Sequence, residues 1–332
     1  MIDDSLRPPF ATDPDAGAYK DWLHLNVFDH RSGAVMLFNV SLHGSPYDPR
    51  ARVVGTAMVH QPDTGWTGNM SVAGFDEAAI GSTSIATARI ALAVDTMSER
   101  VLVSAIYPDD SLEGSIAARA ASSPVAIEER LPFGSGWISW YVVPRLTVTG
   151  TLTCAGRTIE LDAASAYHDH NWGRWHWGDD AGWEWGTYAA AGAGPTFVFS
   201  RTTSRDHLRE GPITLFVHDG PVRRRLRGDG VRLTLEGRFT APLRRLPGSV
   251  AALHQDRVQP HLPARVHVEA RDGVDRVELE FVPRAAAQLI AADPVRSGYG
   301  FVHELVGEFT ASSVIAGRAR TVGGLGVFEF VD

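Results

Sequence analysis

Glycine and proline interrupt this chain so often that long helices have little room: 33 glycines and 19 prolines are scattered over 332 residues. The stretches between them are short and rich in Val, Ile, Thr and Phe. β-Branched and aromatic side chains suit a pleated surface, while Gly and Pro weaken helix interiors. The pattern predicts many short strands and an all-β fold. In the first half, strands are expected at Val35 to Leu42, Val53 to Val59, Ser84 to Val94, Arg100 to Tyr107, Leu146 to Thr153 and Thr158 to Leu161. In the second half they are expected at Phe197 to Ser200, Ile213 to His218, Val231 to Phe239, Arg265 to Ala270, Val277 to Phe281, Glu304 to Thr310 and Val327 to Val331. Val231, Leu233 and Leu235 alternate with Arg232, Thr234 and Glu236, as a half-buried strand requires. One short helix is expected from Pro283 to Ala292, with proline at its first turn and alanines inside.

No short-period repeat points to a propeller or solenoid. The length fits two β units of similar size, dividing between residues 150 and 180. The expected boundary gives units 1–165 and 166–332.

Composition narrows the function. At 44% hydrophobic the chain can fill a core, and a net charge of −8 argues against nucleic acid as a partner. Cys154 is the sole cysteine, which excludes an intramolecular disulfide and a cysteine zinc cluster and fits a reducing cytoplasm. The opening residues lack the basic segment and apolar run of a signal peptide. No apolar run reaches ~18 residues, so no spanning helix is expected, although a lipid substrate would bring peripheral membrane contact. Lys20 is the only lysine, read as coding bias, and Arg223-Arg224-Arg225 and Arg244-Arg245 are read as solvated loop charges.

Residues 167–186 stand apart. They read YHDHNWGRWHWGDDAGWEWG and hold five of the nine tryptophans: Trp172, Trp175, Trp177, Trp183 and Trp185. His168, His170 and His176 join them, with Asp169, Asp179, Asp180 and Glu184. If 167–172 is extended, Tyr167, Asp169 and Asn171 share one face, and His168, His170 and Trp172 share the other. A dry surrounding would favour a neutral Asp169 able to donate a proton, and a neighbouring histidine would oppose it.

Tyr167-His168-Asp169-His170-Asn171-Trp172-Gly173 is similar to the YHDHNWG signature of the carotenoid 1,2-hydratases and the broader AttH-like family. The approach through Trp140-Tyr141-Val142-Val143-Pro144-Arg145 and the continuation to Trp185-Gly186 also resemble that family, over roughly residues 137–186. The resemblance implies two consecutive lipocalin-like antiparallel β-barrel or sandwich domains with an apolar pocket. It implies acid–base chemistry at Tyr167 and Asp169, hydrating isoprenoid double bonds or catalysing isomerisation or cyclisation without a cofactor. The family's upstream histidine is missing: Trp137-Ile138-Ser139-Trp140-Tyr141 carries tryptophans only.

The expected catalytic set is therefore Asp169, Tyr167, His170 and His168. Asp169 supplies the proton, Tyr167 orients the acid or a water, and a histidine shuttles protons. Trp140, Tyr141, Trp172, Trp177 and Trp185 are the expected substrate-binding wall, their ring faces stabilising a cation by about 0.5–2 kcal/mol per contact. For each residue the plain alternative is packing or hydrogen bonding in a core. Trp22, Trp66, His24, His43 and His60 are secondary candidates for the wall. A metal at His168-x-His170, completed by Asp179, Glu184 or His176, is the weaker reading, and no metal or cofactor is expected. Nucleotide-binding and serine-nucleophile patterns are absent. The expected partner is a hydrophobic small molecule, and the rival to an enzyme is a carrier of such a molecule.

Overall fold

The computed structural model describes residues 4–10, 12–246 and 261–332. Strand accounts for 68% of the described residues and helix for 4%, so the fold is all-β. Two curled, barrel-like sheets follow one another, as the composition and the resemblance lead one to expect.

The first sheet contains β1 (Tyr19–Asp29), β2 (Ala34–His43), β3 (Arg52–Gln61), β4 (Gly65–Gly74), β5 (Ala79–Ile80), β6 (Ser84–Ala86), β7 (Ile90–Asp95), β8 (Arg100–Tyr107), β9 (Leu112–Ala120), β10 (Val125–Phe133), β11 (Gly136–Cys154) and β12 (Arg157–Arg174). Their order is β4-β3-β2-β1-β12-β11-β9-β8-β7-β6-β5, with β10 paired to β11. The second contains β13 (Gly182–Ala190), β14 (Thr196–Thr203), β15 (Glu210–Asp219), β16 (Val222–Arg227), β17 (Val231–Glu236), β18 (Leu243–Leu246), β19 (Arg265–Asp272), β20 (Asp275–Ala292), β21 (Tyr299–Ile315) and β22 (Arg318–Val331). Its order is β16-β15-β14-β13-β22-β21-β20-β19-β17, with β18 parallel to β20.

Residues 1–179 and 291–300 form one compact unit, and 180–290 and 301–332 the other. The expected division at 165/166 falls inside β12, which keeps pairing with β1 through Arg174. The tyrosine–histidine motif therefore belongs wholly to the first unit.

In that unit Leu23, Leu25 and Val27 of β1 share a core with Val53 and Ala57 of β3 and with Leu92, Val101 and Val103 of β7 and β8. Strands distant in sheet order meet only if the sheet curls on itself. Tyr107 of β8 spans the curl by donating its hydroxyl to the Gly55 carbonyl of β3 at 3.0 Å. A Cβ at Gly55 would strike the Ile90 side chain, so glycine permits that closeness. Each fully buried Leu or Val contributes about 1.5–3 kcal/mol.

Two irregularities decide which way the motif faces. β12 slips register against β11 between Val148 and Thr149, where Ala163 takes a left-handed φ of 59°. Before the slip Ile159 and Leu161 enter the core; after it Ala164 and Ala166 do. An extra residue in one strand reverses the alternation beyond it. β11 does the same between Val143 and Leu146.

Two local expectations fail. Pro283 to Ala292 continues strand β20 rather than forming a helix. Pro283, which lacks an N–H, sits between the last β19 pairing at Phe281 and the first β18 pairing at Ala286, a gap in the ladder on that side of β20. The Ser84 to Val94 strand breaks at residues 87–89, where the Thr87 hydroxyl accepts the Arg89 and Ile90 amides at 3.2 Å each. Among the described residues, no helix is long and apolar enough to cross a membrane.

Candidate active site

β12 presents two polar clusters, one on each face. On the face turned from the barrel core, three side-chain donors converge on Asp169, which is 4% exposed. Tyr167 Oη donates to Oδ2 at 2.8 Å, Asn171 Nδ2 to Oδ1 at 2.6 Å, and Trp140 Nε1 to Oδ2 at 3.4 Å. Tyr167 and Asn171 reach it because i and i±2 on a strand share a face. Trp140 reaches it from β11, where it lies opposite Asn171. Such a set of donors satisfies an ionised carboxyl without water. These donors oppose the neutral, proton-bearing Asp169 that a dry surrounding alone would favour.

The same face continues on β1, where His24 lies opposite Asp169 and Asn26 opposite Tyr167. His24 Nε2 is 2.9 Å from Asn26 Oδ1. Burial pulls the His24 pKa down to about 4, leaving its ring neutral. At the end of the face sits the buried Lys20, opposite Gly173. Its ammonium donates to the carbonyls of Trp175 at 3.1 Å and Ala18 at 3.4 Å and lies 3.7 Å from Asp293 Oδ2. Burial lowers its pKa to about 8, against the pull of Asp293. Asp293 also accepts from His176 Nδ1 at 3.0 Å and from the amides of Trp177, Val295 and Arg296. It thereby fastens residues 291–300 to the first unit. Gly173 makes the crossing compact, since a Cβ there would strike the Trp137 carbonyl.

The opposite face looks into the barrel core. His168 lies opposite Leu25 and Val143, and His170 opposite Leu23 and Tyr141. Both imidazoles are fully buried. Their partners come from far earlier in the chain. His168 Nδ1 donates to the His24 carbonyl at 2.7 Å, and its Nε2 is 3.3 Å from Asp4 Oδ2. A carbonyl on one nitrogen and a carboxylate on the other suit an imidazolium. Burial opposes that charge, but Asp4 outweighs it and the His168 pKa is raised. His170 Nε2 is 2.7 Å from Asp21 Oδ1, and its Nδ1 is 3.6 Å from Asp4 Oδ1. Asp21 also accepts from the Tyr19 hydroxyl and, at 2.9 Å, from the Arg7 amide. Burial and Asp21 push the Tyr19 pKa far up. The Arg7 guanidinium lies 4.1 Å from the Trp172 ring centre, and that ring lies 4.9 Å from His170. Residues 4–7 are thus tied to β1 and β12, and also by the Leu6 amide to the Ser82 carbonyl at 2.8 Å.

The expected residues therefore separate. Asp169, Tyr167 and Trp140 meet; His168, His170, Trp172 and Tyr141 occupy the other face. Trp177 donates to His43 Nδ1 at 3.2 Å within the first unit, where burial takes the His43 pKa to about 3. Trp185 stands on β13 of the second unit, opposite Glu329. The side chains considered as metal ligands have other partners: His176 pairs with Asp293, Asp179 with Ser135, and Glu184 with Arg201 and His207. Among the described residues, no group of three His, Cys, Asp or Glu is placed to hold a metal ion. Sequence reasoning missed Asp4, Asp21 and Asp293; the lone Lys20 was the available clue to a buried charge network. A surface groove on β7–β9 and β11, lined by Ala91, Leu102, Ser104, Ser115 and Thr149, has no titratable side chain and is not a candidate.

No protein-family model matches the sequence, and no curated protein does. Solved structures do match in fold. An AttH candidate from Nitrosomonas europaea (NE1406) superposes with a TM-score of 0.70 at 14% identity, over 98% of this chain and 99% of that one. CghA, solved with Sch210972, gives 0.65 at 14% identity over 95% and 89%. Kievitone hydratase from Nectria haematococca gives 0.64 at 13% identity over 99% and 96%. The chain is similar to these proteins in fold, along nearly its whole length.

Proposed function

We propose that this protein is a cofactor-independent enzyme that hydrates, isomerises or cyclises an apolar isoprenoid, polyene or polyketide-like molecule, with Asp169 as the proton-exchanging group. The convergence of Tyr167, Asn171 and Trp140 on one buried carboxyl carries the reading. A fold shared with a hydratase, and with a protein that binds Sch210972, supports it.

The chemistry follows from the site's resting charge. A carboxylate held by three donors first takes up a proton. An apolar substrate that shuts out water makes the anion costlier and promotes that uptake. The acid then protonates an alkene carbon, the Trp140 ring faces the resulting cation, and water or an internal nucleophile adds. When water adds, its released proton returns to Asp169 and passes on to solvent as the product leaves, which restores the starting carboxylate. Tyr167 holds the carboxyl in place throughout.

Incubation with candidate polyenes in deuterated water tests this. Carbon-bound deuterium or hydroxylated product is expected from the wild type. Asp169→Asn should bind substrate and lose turnover. Stoichiometric binding without conversion by the wild type would discard the enzyme in favour of a carrier.

A further inference from the structure

The second unit carries a pair of carboxyl groups that the reading above does not use. Glu304 of β21 lies directly opposite Glu329 of β22. Directly opposed residues in an antiparallel pair project to the same side, so the two carboxyls meet on one face. That face is not the one filled by Leu305, Phe328 and Phe330, which belong to the core. Glu304 is 4% exposed, while Glu329 is half-buried. The direct pairing sets the two carboxyls side by side, and the Trp183 indole donates to Glu329 Oε1. Two adjacent carboxylates repel each other, and burial makes the doubly charged form costlier still, so the pair favours holding one proton. Burial accordingly raises the Glu329 pKa.

A second observation points to a guest. Thr187 lies on the same face, opposite Val327 and thus two pairs along from Trp185 and Glu329. It is fully buried, and its hydroxyl has no hydrogen-bond partner among the described residues. An orphaned hydroxyl on the face that carries a carboxyl pair is a place for a ligand oxygen. Trp183 and Trp185 on the same strand supply flat apolar surface next to it.

We propose that Glu304 and Glu329 form a singly protonated acid–base pair that exchanges protons at the carbon next to the carbonyl of a neutral, ring-bearing ketone. The step balances at constant charge. Glu329, the more exposed member, takes the α C–H proton while the proton held with Glu304 passes to the carbonyl oxygen. A C–H bond breaks, an O–H bond forms, and the C=O double bond becomes the C=C of an enol. The pair ends with one proton, as it started, and the reverse step returns a solvent-derived proton to carbon.

Two measurements on the full-length protein test it. Infrared difference spectra in light and heavy water should show a protonated carboxyl band at neutral pH. Its loss is expected in both Glu304→Gln and Glu329→Gln, because the surviving glutamate no longer shares a proton. With β-tetralone in deuterated buffer, the α-proton NMR signal should decay faster with wild type than with buffer alone. Each Gln variant should slow it by at least about tenfold, a typical loss for a general acid or base. Thermal melts confirm that the near-isosteric variants fold. A wild type without the band, a band unchanged in both variants, or exchange no faster than in buffer would overturn the proposal. None of these results bears on Asp169, whose test uses another substrate and another variant.

Discussion

Tyr167 gives its hydroxyl hydrogen to Asp169 Oδ2 over 2.8 Å, from two positions earlier on the same strand. Both residues are buried, Tyr167 completely, so water cannot replace the bond if it is cut. Tyr167→Phe should therefore cost about 1–3 kcal/mol of stability, the price of an under-satisfied buried acceptor. Urea denaturation measures it. Asn171→Ala, which removes the 2.6 Å donor, should fall in the same range. A loss below a few tenths of a kcal/mol in both would mean that the carboxyl is satisfied without them.

His168 makes stability fall on the alkaline side. Its folded pKa is raised, with burial opposing and Asp4 favouring the cation. A raised folded pKa gives a contribution that is fully present below the unfolded value, near ~6.5, and is lost as pH rises through the folded value. The melting temperature should drop over that interval in the wild type. Asp4→Asn should flatten the drop and loosen residues 4–7, a change visible by hydrogen exchange.

The neutral histidines act with the opposite sign. Burial lowers His24 to about 4, His43 to about 3 and His303 to about 4. Their contribution is present above the unfolded value near ~6.5 and is lost as pH falls towards the folded values, because the unfolded chain takes up the protons first. Acid unfolding should therefore begin below about pH 6.5. His43→Gln should reduce the steepness of that limb.

Lys20 is the only lysine and is buried beside Asp293. Side-chain amine labelling should thus report on a single site. Native protein should resist an acylating reagent, and modification should appear only with unfolding, as mass spectrometry would show. Lys20→Met should destabilise by about 3–5 kcal/mol, because Asp293 keeps its charge and loses its counter-ion.

The sequence made much of this architecture legible. Alternating Val, Leu and Thr placed most strands, and the i, i+2 rule put Tyr167, Asp169 and Asn171 together. What it concealed has physical causes. Pro283 and its following alanines look helical in isolation, but β21 and β18 hold that stretch extended, and ladder pairing outweighs local propensity. His168 and His170 find Asp4 and Asp21 across well over a hundred residues of chain, a distance no local pattern reports. Nor does alternation alone say which face of β12 is inside, since Ala163 reverses it without any glycine or proline to announce the change.

That reversal has an evolutionary consequence. Loss of a single residue between Asp162 and Tyr167 would restore strict alternation and turn the motif over. The imidazoles would then lie where Asp169 now stands, and the aspartate would be thrust among leucines and valines. Length in this short stretch should thus be under stricter selection than residue identity: insertions and deletions here would abolish function even where substitutions are absorbed.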